Sequence, residues 1–291
     1  MTDKTPTTKN ERRQAAREKA KALREEQHRR EKRKRLIIQS SVVVGVIAVV
    51  AAVALLVTTL TKPAAMPANM QSDGIAFTTG LTPVLTDARE SGSDPVAYES
   101  ADDHIVVDVY LDFMCPYCQQ FELTNGQYIT TQVSAGNIDV VYHPVEILDR
   151  LSQGTNYSTR AAAAAASVAN YAPDSFITFQ SRLFDTDVKP EENTAGLTED
   201  ELVQYAREAI GDDNADLQQK VEDSIRSGEF KSWVAAATKA SPAAENGTPY
   251  VTVNGEAWNS TAQSSDTLYS DFPDYVNDLL EAKGIDPNAG E

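Results

Sequence analysis

Cys115 and Cys118 are the only cysteines among the 291 residues of the chain, and they stand three positions apart in the run Cys-Pro-Tyr-Cys. A disulfide that closes so short a loop adds little stability, because it removes little entropy from the unfolded chain. The role of this pair is therefore expected to be chemical: one thiolate attacks a disulfide, and the second cysteine resolves the mixed disulfide that forms. We predict a redox-active disulfide between Cys115 and Cys118 and no other cofactor.

Two other uses of the pair are alternatives to this chemistry. Buried structural thiols or an inert bridge would show the same spacing. A zinc site would need about four ligands in total, and the remaining candidates in the body of the chain, His104 and His143, each stand alone in a strand context. The sequence therefore predicts no metal site. His143 lies at the end of a predicted strand, where a structural role is favoured over an approach to the cysteines.

The elements on either side of the pair place it at the start of a helix. Residues 104–113 are rich in β-branched and aromatic side chains and predict a buried strand, and residues 138–142 predict a second one. With the helical pattern at 119–123 between them, this βαβ order implies parallel pairing through a right-handed crossover. Because a helix N-terminus stabilises an anion, we expect Cys115 to be an exposed nucleophile with a lowered pKa. Cys118, one turn later, is expected to lie deeper.

The rest of the body predicts a helical block followed by a hairpin and a last helix, so the predicted fold class is α/β. A capping box from Thr198 to Glu201 marks the start of one helix, and Asn254-Gly255 marks a hairpin turn after a strand at 250–253. The last helix is expected at 267–282, and residues 74–103 are consistent with an additional strand or hairpin. Five helices are expected within the block, at 158–171, 174–184, 199–210, 214–227 and 230–239.

The N-terminal part of the chain predicts a membrane anchor. Residues 36–60 contain no ionisable side chain, and about 20 apolar residues suffice to cross the hydrocarbon core of a bilayer. Residues 1–35 carry a net charge of +8, and the remainder of the chain carries −25. The excess of Lys and Arg before the apolar segment predicts a cytoplasmic N-terminus and an extracytoplasmic body. A cleaved signal peptide is the alternative, although its apolar region would be shorter.

The charges of the chain indicate what its parts contact. The acidic charge of the body argues against nucleic acid as a ligand, because phosphate binding needs clustered Lys and Arg. The basic tail is expected to lie at the lipid bilayer.

Together these observations predict four regions. They are a basic cytoplasmic tail at 1–35, a single transmembrane helix at 36–60, a tether and lead-in at 61–100 and a catalytic domain at 101–285, with a helical insertion at about 150–245.

Two motifs in the body resemble a known family. The run YLDFMCPYCQQFE, within residues 104–122, and the run NGTPYVTVNG, at residues 246–255, are similar to the DsbA-like branch of the thioredoxin superfamily, in its membrane-anchored bacterial form. The resemblance implies a thioredoxin fold with an inserted helical block, in which Cys115 attacks and Cys118 resolves. It also implies that the peptide bond before Pro249 is cis and lies against the pair, and that the backbone of Thr248 binds an extended substrate.

The chain departs from the thioredoxin pattern at one position. Thioredoxins carry a buried acid six residues before the first cysteine, where it serves proton transfer, and here that position is Val109. Asp108 and Asp112 flank it. Asp112 matches a frequent acid of the DsbA-like branch and is the candidate for proton transfer, with a role at the strand end as the alternative.

The predicted compartment favours one direction of exchange. Outside the membrane there is no cytosolic thiol pool, so disulfides persist. The first hypothesis is an oxidase that donates its disulfide to unfolded exported proteins and is reoxidised by a membrane redox partner. Pro116 and Tyr117, between the cysteines, are expected to tune the reduction potential. The alternatives are an extracytoplasmic reductase or isomerase, and a non-catalytic membrane-tethered binding module whose cysteines form an inert bridge.

Overall fold

The chain divides into two units, Met1–Lys62 and Pro63–Glu291. The computed structural model describes residues 17–21, 23–26, 29–30, 32, 49–51, 64–261, 264 and 267–287. The described residues of the first unit are helical. Most of the predicted membrane segment, residues 36–60, lies outside the described residues. Among those that are described, no helix is long and apolar enough to cross a bilayer.

Six strands form one mixed sheet in the second unit. They are β1 (Ile75–Thr78), β2 (Thr82–Pro83), β3 (Ile105–Leu111), β4 (Ile138–Pro144), β5 (Tyr250–Val253) and β6 (Glu256–Trp258), in the spatial order β2-β1-β4-β3-β5-β6. Strands β3 and β4 pair in parallel, with Val107 opposite Val140, which confirms the predicted βαβ unit. The other four pairings are antiparallel. The strands β1 and β2 show that the segment expected to lead into the domain contributes to its sheet.

The helices occupy three positions along the chain. They are α1 (Pro116–Ala135), α2 (Tyr157–Tyr171), α3 (Phe176–Phe184), α4 (Glu199–Ile210), α5 (Ala215–Ser227), α6 (Lys231–Ala240), α7 (Ala243–Asn246) and α8 (Phe272–Ala282), with 3₁₀ turns at Thr79–Leu81, Asp149–Leu151, Pro173–Ser175 and Asp212–Asn214. Helix α1 connects β3 to β4, α2 to α7 lie between β4 and β5, and α8 follows the hairpin. The predicted helical block is therefore confirmed.

Local signals explain several of these boundaries. Helix α4 begins with the predicted capping box, in which the Thr198 hydroxyl accepts from the Glu201 N–H (3.2 Å) and the Glu201 carboxylate accepts from the Thr198 N–H (2.7 Å). In the β5–β6 hairpin, Asn254 and Gly255 have φ values of 50° and 80°, as a tight two-residue turn requires. The last helix begins at Phe272 rather than at residue 267, because residues 267–271 form turns in which Tyr269 has a φ of 68°.

A run of alanines lets the helical block pack closely. All six side chains of residues 161–166, in the middle of α2, are buried. Helix α2 contacts α5 and α6 as well as α3 and α4. Because alanine is short, these helices can approach each other, and a larger side chain in the run would cost about 1–3 kcal/mol through overpacking.

The two faces of β3 differ in burial, and this difference organises the sites described below. Ile105, Val107 and Val109 point into the core, whereas Val106, Asp108 and Tyr110 are half-buried on the opposite face. The strand ends at Leu111, directly before the segment that carries the cysteines.

Candidate active site

The segment between β3 and α1 presents the cysteine pair at the start of a helix. The N–H of Cys115 donates to the carbonyl of Asp112 (2.9 Å), which closes a turn directly after the strand. Cys115 is the N-cap of α1, and Pro116 is its first residue, where the missing N–H is harmless. Tyr117 is 57% exposed. The predicted strand-to-helix junction is therefore present, with Cys118 inside the first turn of the helix.

Cys115 is less accessible than the sequence led us to expect. It is only 4% exposed, so the prediction of an exposed nucleophile is wrong. The reason is the segment before β5, whose Thr248 carbonyl lies 3.3 Å from the Cys115 Sγ and accepts from the thiol. Both cysteines are free thiols in this structure.

The surroundings of Cys115 favour its thiolate. A hydrogen bond from Cys118 lowers the pKa of Cys115 to about 6, although burial opposes the shift. The hydroxyl of Thr248 and the backbone N–H groups of Cys118 and Tyr117 lower the pKa further. These N–H groups are unpaired donors of the first helical turn, which is the predicted cause. Cys115 is therefore mostly ionised at neutral pH.

Cys118 has the opposite electrostatic environment. It is 2% exposed, and the backbone N–H of Asp112 points at its Sγ (3.4 Å). Burial raises the pKa of Cys118 well above its ordinary value, and the neighbouring Cys115 raises it further. Cys118 is as inaccessible as Cys115, and its neutral thiol is the stable form.

Asp112 is fully buried beside the pair. Its carboxylate accepts three hydrogen bonds, from the N–H of Met114 (2.8 Å), the N–H of Leu148 (2.9 Å) and the hydroxyl of Ser158 (2.8 Å). Burial nevertheless raises its pKa to about 7, and the charge of Cys115 adds to the rise. A carboxyl group with this pKa can both take and give a proton near neutral pH.

Asp108 lies on the other face of β3 and contacts neither cysteine. It accepts from the His143 Nε2 (3.0 Å) and from the hydroxyl of Thr252 (3.0 Å). Val109, at the position of the missing acid, is buried in the core. Of the two acids that flank Val109, only Asp112 therefore lies at the cysteine pair.

Both histidines of the body form pairs with carboxylates. His143 contacts Asp108 and stacks on Tyr110 at 4.1 Å between ring centroids, and the Nδ1 of His104 lies 2.8 Å from Asp139. The expectation that each histidine stands alone is wrong, because the register of β3 and β4 brings distant residues together. In the part of the chain that the structure describes, no group of three or more His, Cys, Asp or Glu side chains is placed to hold a metal ion.

The cis peptide bond implied by the resemblance is present. The bond between Thr248 and Pro249 is cis, and its Thr248 carbonyl contacts Cys115. Two segments that are 133 residues apart in the chain therefore meet at one thiol. The amide of Gln119 also holds the end of α3 against α1, because it donates to the Phe184 carbonyl (2.8 Å).

The comparisons with known proteins agree with this geometry. The thioredoxin family model matches residues 97–269, more than half of the chain. The chain belongs to the thioredoxin family. The family assignment accounts for the mixed sheet, the helix that begins at the cysteine pair and the adjacent cis peptide bond.

Solved structures of relatives place this thioredoxin-family protein in the DsbA-like branch. Oxidised DsbA from Mycobacterium tuberculosis is 28% identical, with a TM-score of 0.53, over 71% of this chain and 92% of that chain. Reduced DsbG from the same organism, a disulfide bond oxidoreductase, is 27% identical, with a TM-score of 0.53, over 72% and 88%. The protein is thus a DsbA-like thiol-disulfide oxidoreductase. MdbA from Actinomyces oris, at 22% identity and a TM-score of 0.50 over 62% and 84%, shares the fold.

A partial match links the enzyme to a protein of another kind. The serine/threonine-protein kinase PknE of Mycobacterium tuberculosis is 34% identical over 106 residues, which is 36% of this chain and 19% of the kinase. The chain thus spans about a fifth of the length of the curated relatives that it matches. So short a match carries no kinase activity to this enzyme.

Three further residues near the pair were not predicted. Glu122, one turn after Cys118, is buried with one carboxylate oxygen unpartnered, and burial raises its pKa to about 7. Lys189 follows α3, and burial lowers its pKa although the charges of both cysteines oppose the shift. The pKa of Tyr269 is raised by burial and by the same two charges. Of these three residues, only Glu122 could have been predicted from the sequence, because a residue four positions after Cys118 lies on the same side of α1.

Proposed function

We propose that this enzyme forms disulfides in exported proteins by donating a Cys115–Cys118 disulfide to unfolded polypeptides outside the membrane. The lowered pKa of Cys115 carries the proposal. A stabilised thiolate stabilises the reduced enzyme, and a stable reduced form makes the disulfide a stronger oxidant. A thiolate of low pKa is also the better leaving group when the mixed disulfide is resolved.

The exchange takes place in two steps at Cys115. A substrate thiolate attacks the Cys115 Sγ, so that a substrate–Cys115 bond forms and the Cys115–Cys118 bond breaks. Cys118 leaves and takes up a proton, since its buried site favours the neutral thiol. A second substrate thiolate then attacks the substrate sulfur of the mixed disulfide, and Cys115 leaves as a thiolate. Two electrons pass to the enzyme, and a membrane redox partner removes them to restore the disulfide.

Asp112 is proposed as the group that exchanges the proton with Cys118. Its raised pKa leaves it partly protonated at neutral pH, and its own N–H already contacts the Cys118 Sγ. In the reverse direction, the Asp112 carboxylate would accept the proton when Cys118 attacks a mixed disulfide. This assignment places in Asp112 the function that the acid missing at Val109 would have.

The remaining predicted site residues are given roles on the substrate side. Thr248, before the cis Pro249, presents the backbone that an extended substrate would meet next to Cys115. Pro116 leaves the first donor position of the helix empty, and the N–H of Tyr117 then stabilises the thiolate. The exposed ring of Tyr117 faces incoming polypeptide. Together they set the potential and position the substrate.

The proposed location is the outer side of the cell membrane, with a single membrane pass at 36–60 and the N-terminus in the cytoplasm. The basic tail and the apolar segment support it. A membrane-impermeant maleimide should label Cys115 in intact, pre-reduced cells. Labelling that requires permeabilised cells would contradict the location.

The direction of exchange is tested by the reduction potential. The full chain in non-ionic detergent is equilibrated with glutathione buffers, and the fraction of disulfide is read by thiol alkylation and mass spectrometry. We expect a potential above about −180 mV, on the oxidising side of protein disulfide isomerase. A value near about −270 mV, as in thioredoxin, would favour the reductase alternative. A Cys115→Ser chain that still supports the phenotype would favour the inert bridge of a non-catalytic binding module.

The substrate class is tested by trapping. In Cys118→Ala, the Cys115 thiolate attacks a disulfide of an exported protein, releases one substrate thiolate and keeps the other sulfur in a mixed disulfide that Cys118 can no longer resolve, and these adducts can be isolated from the membrane fraction. We expect exported proteins with several cysteines among the adducts. Cys115→Ser serves as the matched control, and adducts that persist in it would contradict the assigned attack site.

A further inference from the structure

A cleft of about 740 Å³ lies on the sheet face that carries Asp108 and Tyr110, away from the odd-numbered core residues of β3. The segment around residues 95–104 forms one wall, and Pro242 and Tyr250 border the other end. The exchange chemistry proposed above does not use this cleft.

The charges that line the cleft have one sign. Glu99, Asp103 and Asp108 contribute carboxylates, and no Lys or Arg is among the described residues that line it. Asp103 is already paired with Lys283 (3.1 Å) at the rim. Glu99 is exposed on the segment that forms one wall, and Asp108 lies on β3 with 21% of its side chain exposed. Asp108 is therefore the carboxylate that the sheet itself presents to a ligand in the cleft.

His143 contacts Asp108 through one ring nitrogen only. The ring nitrogen that faces Asp108 is Nε2, and the other nitrogen, Nδ1, is buried without a partner. A Cβ atom added at Gly74 would lie 2.5 Å from Nδ1, so the backbone there closes off that side of the ring. His143 thus reaches Asp108 through Nε2 alone, and its other side is closed to a ligand.

Aromatic rings line the cleft together with this carboxylate. Tyr110 stacks on His143, and the ring of Tyr250 lies 5.9 Å from that of Tyr110. Burial raises the pKa of Tyr110, and the charge of Asp108 raises it further, so the phenol stays neutral. A carboxylate beside tyrosine faces is the combination that attracts an organic cation, by ion pairing and by cation–π contact.

The second His–Asp pair at the same cleft, His104 and Asp139, does not present its carboxylate to a ligand. Asp139 is fully buried, and it binds Tyr98 through its hydroxyl (2.8 Å) as well as His104. Burial raises the pKa of Asp139, but hydrogen bonds from Ser100, His104, Thr78 and Tyr98 outweigh it and leave the pKa lowered. Asp139 is thus closed to a ligand, whereas Asp108 keeps 21% of its side chain exposed to the cleft.

The cleft reaches towards the active site. Tyr250 directly follows the cis Pro249, and Thr248 contacts Cys115. Asp108 lies opposite Thr252 on β5, four residues from Thr248. At about 3.3 Å per residue of strand, Asp108 is on the order of 13 Å from Thr248. An extended polypeptide whose cysteine meets Cys115 can therefore place a long side chain from three or four residues away at Asp108.

We propose that this cleft binds a lysine or arginine side chain of the substrate polypeptide, close in sequence to the cysteine that exchanges with Cys115. The inference rests on the proposed function and names its substrate class: exported polypeptides that carry a basic residue near a cysteine. The cation pairs with Asp108 and packs on Tyr110 and Tyr250.

The test uses peptides with one cysteine, activated as a mixed disulfide with thionitrobenzoate. The Cys115 thiolate attacks the peptide sulfur, the peptide–aryl disulfide breaks, and the coloured arylthiolate is released. One peptide has lysine four residues from its cysteine, and the other has glutamine there. The enzyme is the full-length Cys118→Ala chain in non-ionic detergent, which cannot resolve the product, and the readout is the ratio of the two second-order rate constants.

We expect the lysine peptide to react about fivefold faster at low salt, with the ratio falling as salt screens the charges. Asp108→Asn should bring the ratio to about one, and Tyr250→Leu should lower it through loss of the ring. Asp212→Asn, which removes an exposed acid in the turn before α5, is the charge-matched control and should keep the ratio.

The outcomes separate the inference from the function. A ratio near one in the parent enzyme, with rapid release from both peptides, would overturn the cleft assignment and leave the exchange mechanism intact. A ratio that survives Asp108→Asn would assign the preference to the acidic surface as a whole and would also overturn it. Release from neither peptide would count against Cys115 as the nucleophile.

Discussion

Cys115 and Cys118 are one helical turn apart, yet their sites favour opposite protonation states. Cys115 lies at the helix start, where Cys118, Thr248 and backbone N–H groups stabilise a thiolate, and its pKa is about 6. Cys118 lies one turn further in, where burial keeps the thiol neutral. Both are almost inaccessible to solvent, so exposure does not separate them. The comparison teaches that hydrogen bonds to the sulfur, above all the one from Cys118, rather than access to water, decide which of two buried thiols reacts.

The largest effect is expected when each cysteine is replaced in turn, which tests this difference in reactivity. Cys115→Ser should reduce exchange with an unfolded, reduced protein to the uncatalysed rate, because the reactive thiolate is lost. Cys118→Ser, given oxidised glutathione, should keep the attack by the Cys115 thiolate, which releases one glutathione thiolate and accumulates a mixed disulfide that mass spectrometry identifies on Cys115. Accumulation of adducts on Cys118 in the Cys115→Ser chain would break the comparison.

The Asp112→Asn variant tests whether Asp112 exchanges the proton with Cys118. The variant should slow the resolution of a glutathione adduct on Cys115 by about a hundredfold, as expected for loss of a general base. Acid quenching and mass spectrometry follow the formation and the decay of the adduct separately, and formation should be slowed far less.

Ser158→Ala is the matched control for this variant. It removes one of three donors to Asp112 but keeps the carboxyl group, so decay of the adduct should slow only slightly. Equal slowing of formation and decay in Asp112→Asn would show that the acid acts on Cys115 instead.

The burial that keeps Cys118 neutral also acts on Glu122, and its effect on stability depends on pH. The folded-state pKa of Glu122 is raised to about 7 from 4.5, so its contribution is present below about pH 4.5 and is lost as pH rises through about 7. Between pH 5 and pH 7 the free energy of unfolding of the oxidised wild-type chain should fall by about 2 kcal/mol more than that of Glu122→Gln. Urea unfolding at both pH values measures the difference.

An exposed acid provides the control for Glu122. Glu245→Gln removes a carboxyl group on the surface and should leave the pH dependence of unfolding as it is in the wild type. A parallel pH dependence in wild type and Glu122→Gln would mean that Glu122 ionises in the folded protein as it does in water.

The smallest effect concerns alkylation of Cys115. The rate of its reaction with iodoacetamide should rise about tenfold between pH 5 and pH 8, with a midpoint near pH 6, because the thiolate is the reactive form. In Cys118→Ala the midpoint should move upward, since the hydrogen bond from Cys118 is the largest cause of the lowered pKa. An unchanged midpoint would assign the shift to the helix start alone.

The sequence predicted those parts of the fold and site that depend on local patterns. The capping box at Thr198, the Asn254-Gly255 turn and the strand-to-helix junction at Cys115 each depend on a few adjacent residues. The approach of Thr248 to Cys115 was implied by the family resemblance, because no local pattern joins segments so far apart. The burial of Cys115, which that approach causes, was missed.

The sequence could not predict the features that depend on strand register. The Asp108–His143 and His104–Asp139 pairs form because β3 and β4 place Tyr110 opposite His143 and Val106 opposite Asp139. A one-residue shift would separate both pairs, and nothing near either histidine fixes the register. Lys189, which follows α3, and Tyr269, which precedes α8, likewise come within electrostatic range of the cysteines only because the fold brings distant segments together.

The carbonyl of Thr248 links polypeptide binding to the oxidation state of the enzyme. When Cys115 is a thiol, as it mostly is below about pH 6, this oxygen accepts from it; when Cys115 is part of a disulfide, the sulfur has no hydrogen, and the oxygen is free for an incoming backbone N–H. Below about pH 6, extended polypeptide should therefore bind the oxidised form more tightly than the reduced form. Thermodynamic reciprocity then requires that a bound polypeptide lower the reduction potential of the pair, and that product dissociate more readily once two electrons have been transferred.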